Sequence, residues 1–222
     1  MYSTQNLKYD HITLRRLKNI IERCSDKLYA NEDIPIEHIE IISVVIEEFV
    51  DTFHHGKEEQ AYFPETKDKD GFEEDIRKFL IEHELGRRIA IMLRRELNIW
   101  KKQKDKKKRT TEKGREEEEE EEEGIEGSER DRKLEVETMD AKIKEPTARF
   151  LKSYAVFIAD HTQKEDKFFD LVQQTNIISE KEDQILLQHY ETCKNKIGGK
   201  ARIQQILRLI EYLEASQWMT DK

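Results

Sequence analysis

The chain has 222 residues, enough for one domain with an extension; 36% are apolar and 40% charged, against a usual charged share of about a quarter. A formal charge of −9 leaves no basic excess to displace phosphate counterions, which argues against nucleic acid. No run reaches the apolar length of a membrane span and no signal h-region opens the chain, so the expectation is a soluble, cytoplasmic protein with no membrane partner.

Only three prolines and eight glycines interrupt the sequence, so long helices are expected. The first covers about 6–28, with Leu14, Leu17, Ile21, Cys24 and Leu28 recurring at steps of three and four. The second begins near Pro35, which a first helical turn tolerates. It buries Ile39, Ile42, Ile46 and Val50, with Phe49 and Phe53 widening the stripe, and is ended by Phe63-Pro64 and the polar run 66–71. The third covers about 72–100, with Ile76, Phe79, Leu80, Ala90, Leu93 and Leu97 facing inward. Periodicity then vanishes over 101–145. There 101–115 is basic, net +7, and 116–145 is acidic, net −10, with an unbroken glutamate run at 116–123. Such a stretch buries too little to offset its ordering entropy, so a mobile charged insertion is expected, its basic half able to prolong the third helix.

The fourth helix resumes after Pro146, with Phe150, Tyr154, Phe157, Ile158, Phe168 and Val172 on one side. Ser179 followed by Glu182 is a capping-box pattern that opens a fifth helix. Ile197-Gly198-Gly199 makes a turn into a sixth, carried by Ile203, Ile206, Leu207, Ile210 and Leu213. No segment alternates convincingly with the period of a strand. The class is all-α.

Histidines on the apolar faces carry the chemistry. His11, His54, His83 and His161 each continue the buried stripe of a different helix. Two of them have a glutamate at i+4, His54–Glu58 and His161–Glu165, which sets both side chains on one face a turn apart. With 49 acidic residues such spacing is common by chance; His55–Glu59 is an instance, placed on a solvated face by Glu48 and Asp51. A carboxylate aimed into an apolar stripe beside an inward histidine, twice, is not supplied so easily. A buried glutamate is costly unless paired or bound to metal, and dense imidazole–carboxylate ligation suits iron, with manganese and zinc as competitors. His38 reads as exposed. His189 and Cys193 share a helix face that could bind metal but, with no nearby partner, read as core residues; Tyr154, two turns before His161 and able to approach the site, reads as packing; Gly86 either leaves space for a small ligand or allows close helix packing. Cys24 and Cys193 stand far apart and match no paired metal motif.

The segments LKYDHITLRRL, FHHGKEEQAYFP, IEHELGRRI and ADHTQKEDKFF resemble the four helix motifs of the hemerythrin HHE family, over residues 7–100 and 146–175. IGGKARIQQILRLIEYLE resembles helical extensions of some members; the insertion 101–145 falls outside the pattern. The resemblance implies an up-down-up-down four-helix bundle, with three helices in 1–100 and the fourth in 146–175, followed by a C-terminal helical hairpin at 176–222. It implies His11, His54, His83 and His161 as terminal ligands, with Glu58 and Glu165 bridging two non-haem iron ions that share an oxo or hydroxo group. The partner it implies is dioxygen, another small diatomic or peroxide. One departure bears on mechanism: oxygen carriers have a second histidine one turn along the third helix, where this chain has Arg87 after His83 and Phe79 before it. Two histidines per iron would leave an open position on each, which favours redox or ligand sensing over bulk carriage. A di-iron enzyme reducing peroxide or nitric oxide, and an interaction module with a structural metal, stay open as alternatives.

Overall fold

The computed structural model describes residues 1–117 and 129–221, the side chains of 107–140 excepted, and among them the only regular structure is helix. In chain order these are α1 (Tyr2–Tyr29), α2 (Ile36–Val45), two π-helical segments (π1, Ile46–His55, and π2, Glu58–Tyr62), α3 (Phe63–Thr66), α4 (Glu73–Glu117), α5 (Glu129–Thr175), α6 (Glu180–Lys196), α7 (Gly199–Glu214) and α8 (Gln217–Thr220). α1 buries Leu7, Leu14, Leu17, Ile20, Ile21, Cys24 and Leu28 and lies along α5 in the opposite sense: Lys8 meets Asp170 at one end, and Ser25 Oγ donates to the Ala148 carbonyl (2.9 Å) at the other. α4 opposes α5 in the same way, Glu82 meeting His161 and Gly86 meeting Phe157.

Element boundaries follow the sequence-based expectation only in part. The second helical stretch passes Phe63-Pro64, with Pro64 in the first turn of α3, and ends at Thr66, where the expected polar run begins. The preceding π-turn, which pairs residues five apart, already departs from the i−4 ladder that proline would break. α5 starts at Glu129, so Pro146 lies inside the helix rather than before it. The hydrogen bond lost there is outweighed by burial of Ala148 and Leu151 and by the buried Lys144, whose Nζ donates to Asp33 (2.8 Å). The basic half of the charged stretch does prolong α4, to Glu117; the acidic run from residue 118 on lies outside the described residues. Leu80, expected inside, is 42% exposed.

The C-terminal helices pack onto this body. Ser179 caps α6 with the reciprocal box expected: its N–H donates to Glu182 (2.7 Å) and its hydroxyl accepts from the Glu182 N–H (3.3 Å). α1 has no side-chain cap of its own. Asp183 of α6 fills that role, accepting from the Tyr2 and Ser3 N–H groups at 2.8 and 3.0 Å. Gly198 and Gly199, at φ of 104° and 73°, make the turn into α7 in a backbone region that side chains disfavour. Arg16 and Arg202 then fork onto Glu214 and Glu48, tying α7 to α1 and to π1. His38, expected exposed, is half-buried; it accepts from Trp218 Nε1–H (2.8 Å) and meets the Tyr212 hydroxyl (3.0 Å).

Apolar burial divides into two clusters. One holds Leu14 to Leu28 of α1, with Ile39 to Phe53, Leu93, Leu97, Leu151 and Tyr154. The other gathers Leu7, Tyr62, Phe63, Phe72, Phe79, Phe168 and Phe169. Between these layers, at the levels of residues 11, 54–58, 83 and 161–165, the interior is polar. No described helix is long and apolar enough to cross a membrane.

Candidate metal centre

The polar layer is built by residues that continue apolar stripes. α1 contributes His11, π1 His54, π2 Glu58, α4 His83, and α5 both His161 and Glu165; each is fully buried. All six residues singled out in the sequence therefore meet in one place. Two groups have potential ligand atoms lying within 4.8 Å of one another: His11, His54, Glu58 and Glu165, and His55, His83 and His161.

The two glutamates join the groups. Glu58 places Oε1 3.5 Å from His54 Nε2 and Oε2 3.5 Å from His83 Nε2. Glu165 places Oε2 3.3 Å from His11 Nε2, and Oε1 3.4 Å from His83 Nε2 and 3.1 Å from His161 Nε2. Each carboxylate thus reaches from one imidazole group to the other.

Every one of the four expected histidines turns Nε2 inward because Nδ1 is held from behind. Asp166 holds His11 (2.8 Å), Asp10 holds His54 (3.2 Å), Glu59 holds His83 (2.7 Å) and Glu82 holds His161 (2.8 Å). The acids close a ring. α1 supports the histidine of π1, π2 that of α4, α4 that of α5, and α5 that of α1. Each acid also has a cation: Lys57 on Asp10, Arg87 on Glu59 (2.6 Å), Lys164 on Glu82 (2.6 Å) and Arg15 on Asp166 (2.9 Å). Arg87 also donates to Asp51 (2.7 Å). It thus braces two acids at the edge of the site.

Sequence reasoning missed these four acids, although each is the chain neighbour of an inward residue. It also placed His55 on the solvated face, and the structure corrects this: His55 is 2% exposed, stacked on His83 with ring centroids 3.8 Å apart. The error follows from assuming 3.6 residues per turn. A π-segment carries an extra residue per turn, so the adjacent His54 and His55 both reach the interior. Residues 53–58 are buried without a break, the outer side covered by α6. Lys57, fully buried, lies 4.3 Å from the Phe53 ring centroid and 5.2 Å from that of Tyr190. His189 is exposed while Cys193 is buried, so that pair forms no site. Gly86 leaves room for Phe157, whose ring a Cβ would meet at 2.5 Å, and Phe157 stacks on His161.

Electrostatics asks for a cation. Burial and the facing Glu165 push Glu58 well above the usual carboxylate range. Against its own burial, Glu165 is held low by His161, His11 and His83. Burial drops His54 to about 4, whereas Glu165 and Glu82 overcome burial and lift His161 to about 9. Both oxygens of Glu58, Oε2 of Glu165 and Nε2 of His161 are buried without a hydrogen-bond partner. Each such orphan costs about 1–3 kcal/mol in a neutral group and more in a charged one. Inward imidazole nitrogens and carboxylate oxygens without partners are the donor set that a transition-metal cation satisfies.

A family model described as Hemerythrin HHE cation binding domain matches residues 3–172. Neither the curated proteins nor the solved structures give a match.

Proposed function

The chain belongs to the hemerythrin HHE cation-binding domain family, and we propose that it holds two non-haem iron ions with which it binds or senses dioxygen, nitric oxide, peroxide or redox state. The ions would be held by His11, His54, Glu58, His83, His161 and Glu165. The observation that carries this reading is the double reach of Glu58 and Glu165, each with its carboxylate between the two imidazole groups. A single ion would leave one end of that arrangement unused. The opposed packing of α1 on α5 and of α4 on α5 supports reading the four long helical stretches as the up-down-up-down bundle, with α6–α8 as its extension.

When bound, such a pair supplies reversible one-electron changes and an open position for a small ligand. The chain supplies the rest. The outer acids accept from the imidazole Nδ1–H groups, which fixes the tautomer that leaves Nε2 free to ligate. The apolar layers above and below exclude bulk water. A cleft of about 280 Å³, walled by π1, α4 and α5 with His55, Gly86, Arg87 and Tyr154 among its lining, leads to the edge of the polar layer. The cleft admits small molecules to that edge.

The test is anaerobic loading with ferrous iron followed by exposure to oxygen, nitric oxide or peroxide, read by visible absorption. The proposal expects new charge-transfer bands with at least one of the three, lost in Glu165→Ala. Iron-loaded protein that shows no visible band with any of them contradicts it.

A further inference from the structure

We infer that His55 is a ligand of the same centre, so that the ion between His83 and His161 receives three imidazoles and the ion between His11 and His54 receives two. The inference rests on the two-ion reading above and makes the pair asymmetric: the first ion keeps the open position and the second is closed.

Four observations carry it. His55 is 2% exposed, and both its ring nitrogens are buried without a hydrogen-bond partner. A neutral imidazole has one donor and one acceptor to satisfy, so a mere core histidine would leave two orphaned groups at about 1–3 kcal/mol each. The nearest acid, Asp51, stands 3.7 Å from Nδ1, beyond hydrogen-bond reach, and is already engaged by Arg87. The ring lies parallel to His83 and edge-on to His161, at centroid distances of 3.8 and 5.5 Å. One nitrogen of each of these three rings falls within 4.8 Å of the others. Finally, π-segments are rare and often mark functional sites, and π1 has a definite consequence here: it turns two consecutive histidines inward, one to each group.

The order of the ring fits this assignment. His11, His54, His83 and His161 each have a carboxylate behind Nδ1 within hydrogen-bond distance. His55 has Asp51 in the corresponding place, slightly too far, so a small rotation on ligation would complete a fifth histidine–carboxylate pair.

The experiment uses the whole chain and Co²⁺, whose visible spectrum reports coordination number. Wild type, His55→Ala and His55→Gln are titrated anaerobically, and far-UV circular dichroism checks that helicity is retained. Wild type should bind about two Co²⁺ per chain. Each variant should keep one tight site and lose at least about tenfold in affinity at the other, with a lower coordination number there. Millimolar imidazole, entering by the cleft that His55 lines, should restore the second site in His55→Ala. Variants that titrate with unchanged affinities and spectra overturn the assignment of His55. Wild type that binds one ion or none overturns the two-ion reading itself, a separate outcome. Should the variants fail to fold, ¹⁵N NMR of the Zn²⁺-loaded wild type decides. A His55 ring nitrogen that moves to the metal-bound position supports the inference, and one that does not move refutes it.

Discussion

At the scale of single residues, a histidine in this centre is defined as much by what holds it from behind as by what it faces. Glu82 lies one position before His83 on α4, yet it secures His161 of α5 and is itself held by Lys164. Glu82→Gln keeps the shape and removes the charge, and should weaken cation binding by about 10–100-fold with little change in helicity, measured by metal titration. Arg87 gives a sharper case. Its guanidinium has no lone pair to ligate with, and its donors go to Glu59 and Asp51. Arg87→His is therefore expected not to add a ligand. It should lower affinity at the second histidine group by releasing Glu59 from behind His83; a gain in affinity there would show that the helix register allows position 87 inward. His11, His54, His83 and His161 with Glu58 and Glu165 were legible in the sequence because an acid inside an apolar stripe is too costly to keep without a partner or a metal and marks the histidine beside it; His55 was not. The supporting acids were not, because 49 acidic residues hide four. Their partners are set by helix-to-helix packing that no local pattern encodes.

At the scale of elements, helix existence was legible and helix edges were not. Apolar stripes at steps of three and four identified α1, the second helical stretch, α7 and the bundle portions of α4 and α5, and Ser179 with Glu182 identified the head of α6. Pro146 misled because packing supplied more than the single hydrogen bond it removes. The π1 segment was invisible, since a period of 3.6 residues presumes the α-helical turn. Two contacts between elements can be tested. Asp183→Ala removes the acceptor for the Tyr2 and Ser3 N–H groups, an N-cap supplied by α6 to α1. It should cost about 1–2 kcal/mol in denaturant unfolding. No loss would mean that solvent satisfies those groups as well as Asp183 does. Gly86→Ala would gain about 1 kcal/mol of helix propensity, but its methyl meets the Phe157 ring, which is packed between Tyr154 and His161. The overpacking, about 1–3 kcal/mol, should win. The variant should then unfold at lower denaturant and bind metal less tightly, because the ring stacked on His161 must move; a more stable Gly86→Ala would show that Phe157 yields freely.

At the scale of the whole molecule, two apolar layers enclose one polar layer, and of the charged stretch 101–145 it is Ile143, near its end, that packs on one of them. Replacing residues 102–138 with a short Gly/Ser linker should leave cation content and most of the stability intact, because loop-closure entropy changes slowly with length. A bundle that fails to fold without the stretch would mean that its blocks of charge pack on the domain. Occupancy should matter far more. A cation that binds only the folded chain adds about 4 kcal/mol at a thousandfold excess over its dissociation constant. Chelation should therefore lower the melting temperature, most in protein whose Glu58 and Glu165 are intact. The central claim is that these two carboxylates join two cation sites inside one polar layer. It is tested most directly by counting iron per chain in protein loaded anaerobically and freed of excess metal. The account predicts about two irons per chain in the wild type, and clearly fewer in Glu58→Ala and in Glu165→Ala. One iron per chain in the wild type, or a count that neither substitution changes, would contradict it.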